Sequence, residues 1–125
     1  FEMVNAIAEH NQRKALDLYY DLLTLREPPM RILFLLAKQF RQICLTKKLS
    51  QEGLSQTEIA SKLGVPSFVV RNLASCARSY TVEELENAVR DFVDAEEAVK
   101  TGTLGDVLSV ELLIVKYSSA RTKSA

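Results

Sequence analysis

Apolar residues recur at helical spacing along almost the whole chain, and no stretch sustains the alternation that a half-buried strand requires. The pattern predicts an all-α fold, a single compact bundle of about seven helices. Phe1, Val4 and Ile7 or Ala8 line one face of a short first helix over 1–8. It begins without a capping signal, so the chain is expected to be cut from something longer. Over 12–25 a second helix carries Ala15, Leu16, Tyr19, Leu22 and Leu23 in one stripe. Glu27, Pro28 and Pro29 end that passage, and the prolines suit the first turn of the next helix. From Met30 to about Leu49 runs the longest helix, where Ile32, Leu33, Leu36, Phe40, Ile43 and Cys44 form a broad apolar face. Phe34, Leu35 and Leu45 lie outside that face. A helix apolar on most of its circumference is packed on by several neighbours, which makes this one the expected centre of the domain.

The stretch QTEIASKLGVPSFVVRNLASCAR, residues 56–78, reads as a short helix, a tight turn at Gly64 and a second helix. Ser55 and Glu58 have the spacing of a capping box at its start, and Thr81 and Glu84 repeat that signature before the following helix. Leu85, Val89, Phe92 and Val99 are the expected inward positions there. TGTLG at 101–105 breaks the helix before a last one from about Asp106 to Ser118, where Leu108, Leu112, Ile114 and Val115 predict burial on more than one side. Residues 119–125 are expected to be a frayed tail.

The helix-turn-helix outline raises DNA reading as a function. Its scaffold is well formed: Ile59, Ala60 and Leu63 before the turn, with Val65, Val70 and Leu73 after it, occupy the positions where two crossing helices touch. A reader must also present polar side chains to base edges. The expected outward positions of the second helix are Ser67, Phe68, Arg71, Asn72 and Ser75. Arg71 and Asn72 have suitable chemistry, but Phe68 and Val69 place large apolar groups where a polar groove is required.

Charge changes the picture further. Sixteen Lys and Arg balance sixteen Asp and Glu, against a protein whose affinity rests on neutralising phosphates. The balance hides a segregation: Arg26–Arg78 holds nine basic and three acidic residues, Thr81–Glu97 one basic and seven acidic. Such segregation fits solvated helix faces or a polar surface that orients a protein partner. The 125 residues, 47% of them hydrophobic, suffice for one self-supporting core. No leader or long apolar run is present, so the expected location is cytoplasmic and no membrane contact is expected.

The inventory of chemistry is short. No phosphate-cradling GxxxxGK[ST], no GxGxxG, GxSxG or HExxH occurs, and no catalytic, cofactor-binding or metal-binding residue is assigned. Cys44 and Cys76 are isolated and read as buried, reduced thiols. His10 reads as a surface or helix-end residue. The carboxylates Glu83, Glu84, Glu86, Glu96 and Glu97 get no acid–base role, since acidic residues in a helix's first turn are favoured by its dipole whatever the function.

Four blocks carry a resemblance: FEMVNAIAEHNQRKALDLYYDLL at the start, EPPMRILFLLAKQFRQICLTKKL through the central helix, EIASKLGVPSFVVRNLASCAR over the helix-turn-helix, and DAEEAVKTGTLGDVLSVELLIVK near the end. In this order they resemble the C-terminal collar domain of the delta subunit of the bacterial DNA polymerase III clamp loader, over nearly all 125 residues. The resemblance implies one helical oligomerisation domain over 1–125, part of a longer AAA+-type subunit. Such a domain joins those of other subunits, delta prime and gamma/tau, in a closed collar while the AAA+ modules load the sliding clamp.

It also implies that the clamp-opening element and any nucleotide site lie upstream. This domain is then no enzyme, although the full protein would be a subunit of the DNA polymerase III holoenzyme. No cofactor, small-molecule ligand or sequence-specific DNA contact is expected. Arg41, Asp94 and Lys100 match recurring positions of that family, with roles in intradomain pairing, interface contact or both. Glu96 and Glu97 depart from its more apolar pattern. The apolar residues left off the core stripes, Phe34, Leu45, Phe68 and Val69, are the candidate partner interface. Two other readings remain: a DNA-binding regulator fragment, and the collar of a related clamp-loader subunit such as delta prime or gamma/tau.

Overall fold

The computed structural model describes residues 1–119. Within them lie seven helices, α1 (Glu2–Ala8), α2 (Gln12–Thr24), α3 (Pro29–Gln51), α4 (Gln56–Leu63), α5 (Ser67–Ala77), α6 (Val82–Lys100) and α7 (Asp106–Ser118). Apart from Ser119, the expected frayed tail lies outside the described residues.

Local signals set most of the boundaries. Pro29 opens α3 at N1, where its missing N–H has no intrahelical partner to lose. Both capping boxes form. Ser55 accepts from the Glu58 N–H at 3.2 Å while its own N–H donates to the Glu58 carboxylate at 3.0 Å. Thr81 and Glu84 make the same exchange at 3.0 and 2.7 Å. Gly64 ends α4 in the left-handed region at φ 69°, a conformation that costs a residue with a Cβ and that sharpens the turn into α5.

The central helix α3 is the spine, in contact with α4, α5, α6 and α7, while α1 packs on α2, α5 and α7. Ile32, Leu33, Leu36, Phe40, Ile43 and Cys44 are all buried. Phe40 sits inside an aromatic cluster, its ring centroid 5.2 Å from that of Phe92, 5.7 Å from Tyr117 and 6.0 Å from Tyr80. The Tyr80 hydroxyl donates to the carbonyl of Tyr117 at 2.7 Å, with the carbonyl of Ile7 at 3.3 Å, and so ties the α5–α6 junction to α1 and α7. A buried phenol must satisfy its hydroxyl, and these carbonyls do so. Ile59, Ala60 and Val70 form a second, smaller cluster under α4 with Leu49, Leu54, Leu63 and Val65 against it.

The expected phase of α7 needs correction. Leu108 and Leu112 are exposed, and the inward face is instead Ser109, Val110, Leu113, Ile114 and Tyr117. Apolar residues lie on two opposite sides of this helix, so its own pattern does not choose between them and its neighbours decide which side is buried. His10 lies at the helix end, one of its two expected placements. It follows α1 in the left-handed region at φ 58°, half-buried, with Nδ1 2.8 Å from the carbonyl of Ser119. That contact, with the imidazole as donor, helps close the end of α7 over α1.

Candidate subunit interface

The two helices of the helix-turn-helix are built as expected, and their outward chemistry is not that of a reader. α5 packs against α3, α4 and α1, which leaves Ser67, Phe68, Arg71 and Ser75 exposed. Asn72, expected to point outward, is turned toward α1 and donates its side-chain amide to Oδ1 of Asn5 at 3.1 Å. The Cys76 thiol donates to the same oxygen at 3.2 Å. One of the two side chains suited to base edges is thereby engaged within the fold. Phe68, in the first turn that would enter a groove, is 66% exposed. Val69 does not belong to the outward set: it is half-buried and packs against the main core, one position round the helix from Phe68.

On α3 the outward face is continuous. Arg31, Phe34, Leu35, Lys38, Arg41 and Leu45 are all exposed, with Phe34 47%, Leu35 54% and Leu45 43% accessible. At about 100° per residue these six positions fall within an arc of roughly 120°. The opposite side of the same helix is buried in the core, so these residues contribute little to it. Phe34, Leu45 and Phe68 therefore stand where a partner can reach them, and Leu35 joins them. Its off-stripe position was the signal available in the sequence.

Arg41, Asp94 and Lys100 are also exposed, and none makes an ion pair with another described residue. The ion pairs that tie elements together are others: Lys48 with Glu86 at 2.6 Å joins α3 to α6, and Lys116 with Asp91 at 2.7 Å joins α7 to α6. The Glu86 carboxyl is held below its usual range, mainly by its hydrogen bond with Lys48. Further exposed apolar residues lie on other faces, Val93 on α6 and Val107, Leu108 and Leu112 on α7. A groove of about 280 Å³ between α1, α2 and α3 is walled by Met3, Val4, Leu18, Leu22, Ile32 and Leu36.

Among the described residues no group of three or more His, Cys, Asp or Glu side chains is placed to hold a metal. Cys44 and Cys76 are buried and unpaired, and burial pushes the Cys76 thiol up to about 11. No helix of the described residues is long and apolar enough to cross a membrane.

Fold and surface together define an all-α packing domain whose helix-turn-helix serves the interior and whose exposed apolar groups cluster on helix faces. Relatives in sequence and structure give that class its family. Residues 1–117 match the model of the DNA polymerase III delta subunit, C-terminal domain, and the chain belongs to that family. It is similar to DNA polymerase III subunit delta of Bacillus subtilis (strain 168), with 32% identity over 124 residues. That match covers 99% of this chain and 36% of the relative, so the chain spans about a third of the relative's length. Among solved structures it resembles the Bacillus subtilis DNA clamp loader delta protein, with a TM-score of 0.87 and 32% identity over 94% of this chain and 34% of that one. These relatives support the clamp-loader reading of the four sequence blocks, and not that of a DNA-binding regulator fragment.

Proposed function

We propose that this domain is the collar segment of a clamp-loader delta subunit, which holds the subunit in a ring with delta prime and gamma/tau while the sliding clamp is loaded in the cytoplasm. The observation that carries the reading is the exposure of Phe34, Leu45 and Phe68 on helices whose opposite faces are already fully packed. Large exposed aromatics contribute little to a monomer's stability, whereas buried in an interface they are among the residues whose truncation costs most. On this reading the domain carries out no catalysis and binds no cofactor or small molecule. Its acidic α6 and basic α3–α5 segments orient the neighbours.

The test uses the protein at its full natural length. Phe34→Ala and Phe68→Ala are made singly, the melting temperature of each is checked, and incorporation into the reconstituted clamp loader is followed by gel filtration. Each variant is expected to melt close to wild type and to lose about 2 kcal/mol or more of binding, as truncation of a central interface aromatic does. Normal assembly by both folded variants removes these residues from the contact. Failure of the wild-type protein to join the other subunits removes the function.

A further inference from the structure

We infer that the outward face of α3 is the docking surface for a helix of another clamp-loader subunit that presents apolar side chains flanked by carboxylates. The inference rests on the collar reading and adds to it the location and chemistry of one contact. Arg31 to Leu45 spans about 21 Å along the helix axis, close to four turns, the length over which two helices pack side by side.

The face alternates two chemistries. Phe34, Leu35 and Leu45 offer apolar area, and Arg31, Lys38 and Arg41 stand between and beside them with no acidic residue on the same arc. Arg31 has a long 3.7 Å contact with Glu27 one turn earlier, at the solvent edge. Lys38 and Arg41 make no ion pair with a described residue. A helix face that only met water would not need three large apolar groups. A face that packed within its own domain would have its cations neutralised. An apolar centre with unneutralised cations along it is complementary to a surface of apolar groups and carboxylates.

The same cations suit a nucleic-acid backbone, but the composition of the face favours protein. Leu35 and Leu45 are aliphatic and cannot stack on bases, which leaves Phe34 as the sole aromatic of the six. The chain as a whole has a net charge of zero, against binding dominated by phosphate contacts.

The experiment reconstitutes the clamp loader with the protein at full natural length carrying Lys38→Glu and Arg41→Glu together, Lys38→Gln and Arg41→Gln together, or Arg13→Glu on the exposed side of α2 as control. Both altered side chains are exposed, so the melting temperatures are expected to match wild type, and the milder Gln pair keeps the test decisive if the Glu pair unfolds. Association with the other subunits is titrated at several salt concentrations, and binding to a primed DNA duplex is measured in parallel. The expected result is wild-type affinity that falls with salt, a loss of at least tenfold in the Glu pair, a several-fold loss in the Gln pair with a flatter salt dependence, and no change in the control. Wild-type affinity in the charge-altered variants overturns this inference and leaves the collar reading standing. Normal assembly with lost DNA binding assigns the face to phosphates and overturns it equally. A wild-type protein that joins none of the other subunits overturns the collar reading, and this inference with it.

Discussion

Asn72 donates its side-chain amide to Asn5 at 3.1 Å, and that bond fixes the second helix of the helix-turn-helix against α1. A recognition helix must hold its polar side chains free for base edges. Here Asn72 faces the interior while Phe68 occupies the outward first turn. Asn72→Ala is therefore expected to lower stability by about 1–3 kcal/mol, the cost of stripping a part-buried polar group of its partner. It is expected to leave duplex binding weak and non-selective, as in wild type. Thermal melts and fluorescence anisotropy over a salt series check both parts, and nanomolar, sequence-selective binding near physiological salt contradicts the packing role.

Phe40 touches three other aromatic rings at the centre of the core and is fully buried. Phe40→Ala is expected to cost about 3–5 kcal/mol, from lost burial plus the cavity left behind. Differential scanning calorimetry is expected to show a drop in melting temperature of roughly 10 °C or more for a domain of this size. A shift of only a few degrees would mean that the cluster closes over the gap.

Asp91 carries an acid-side pH dependence. Burial alone raises its carboxyl, but hydrogen bonds from Lys116 and Tyr117 act the other way and hold it below its ordinary value of 3.8. A carboxyl depressed in the folded state contributes stability that is complete above its unfolded pKa and is lost as pH falls through the folded one. Denaturation midpoints at pH 7 and at pH 3 are the measurement. Asp91→Asn is expected to be less stable than wild type at pH 7, with the gap between the two narrowing as the pH falls below about 4. A gap that stays constant across that range refutes the assignment.

The two thiols give a chemical readout of native packing. Burial raises both Cys44 and Cys76 above the ordinary thiol value of 9.0, Cys76 to about 11. Since the thiolate is the nucleophile, both are expected to react with a disulfide reagent at pH 8 far more slowly in the folded protein than in denaturant. Rapid modification of either thiol without denaturant shows that α3 or α5 opens locally.

The sequence by itself determined the seven helices, their order, both capping boxes and the turn at Gly64, because caps and helical periodicity act between residues three or four apart and need no tertiary partner. It also determined the inward face of α3, whose apolar stripe runs unbroken from Ile32 to Cys44. The exposure of the candidate residues was legible for three of the four. Phe34, Leu45 and Phe68 stood off the stripes and are exposed, while Val69 was grouped with them although it packs on the core.

Tertiary structure alone decided the rest. The rotation of α7 was ambiguous in a segment with apolar residues on two opposite sides, so only its neighbours buried Ser109 and Val110 and left Leu108 and Leu112 outside. The inward turn of Asn72 depends on Asn5, 67 residues away, and the closure of α7 depends on Tyr80 and His10 reaching carbonyls at the far end of the chain. Pairings between residues far apart in sequence leave no periodic trace, since their partners are set by how the helices pack and not by the spacing along any one of them.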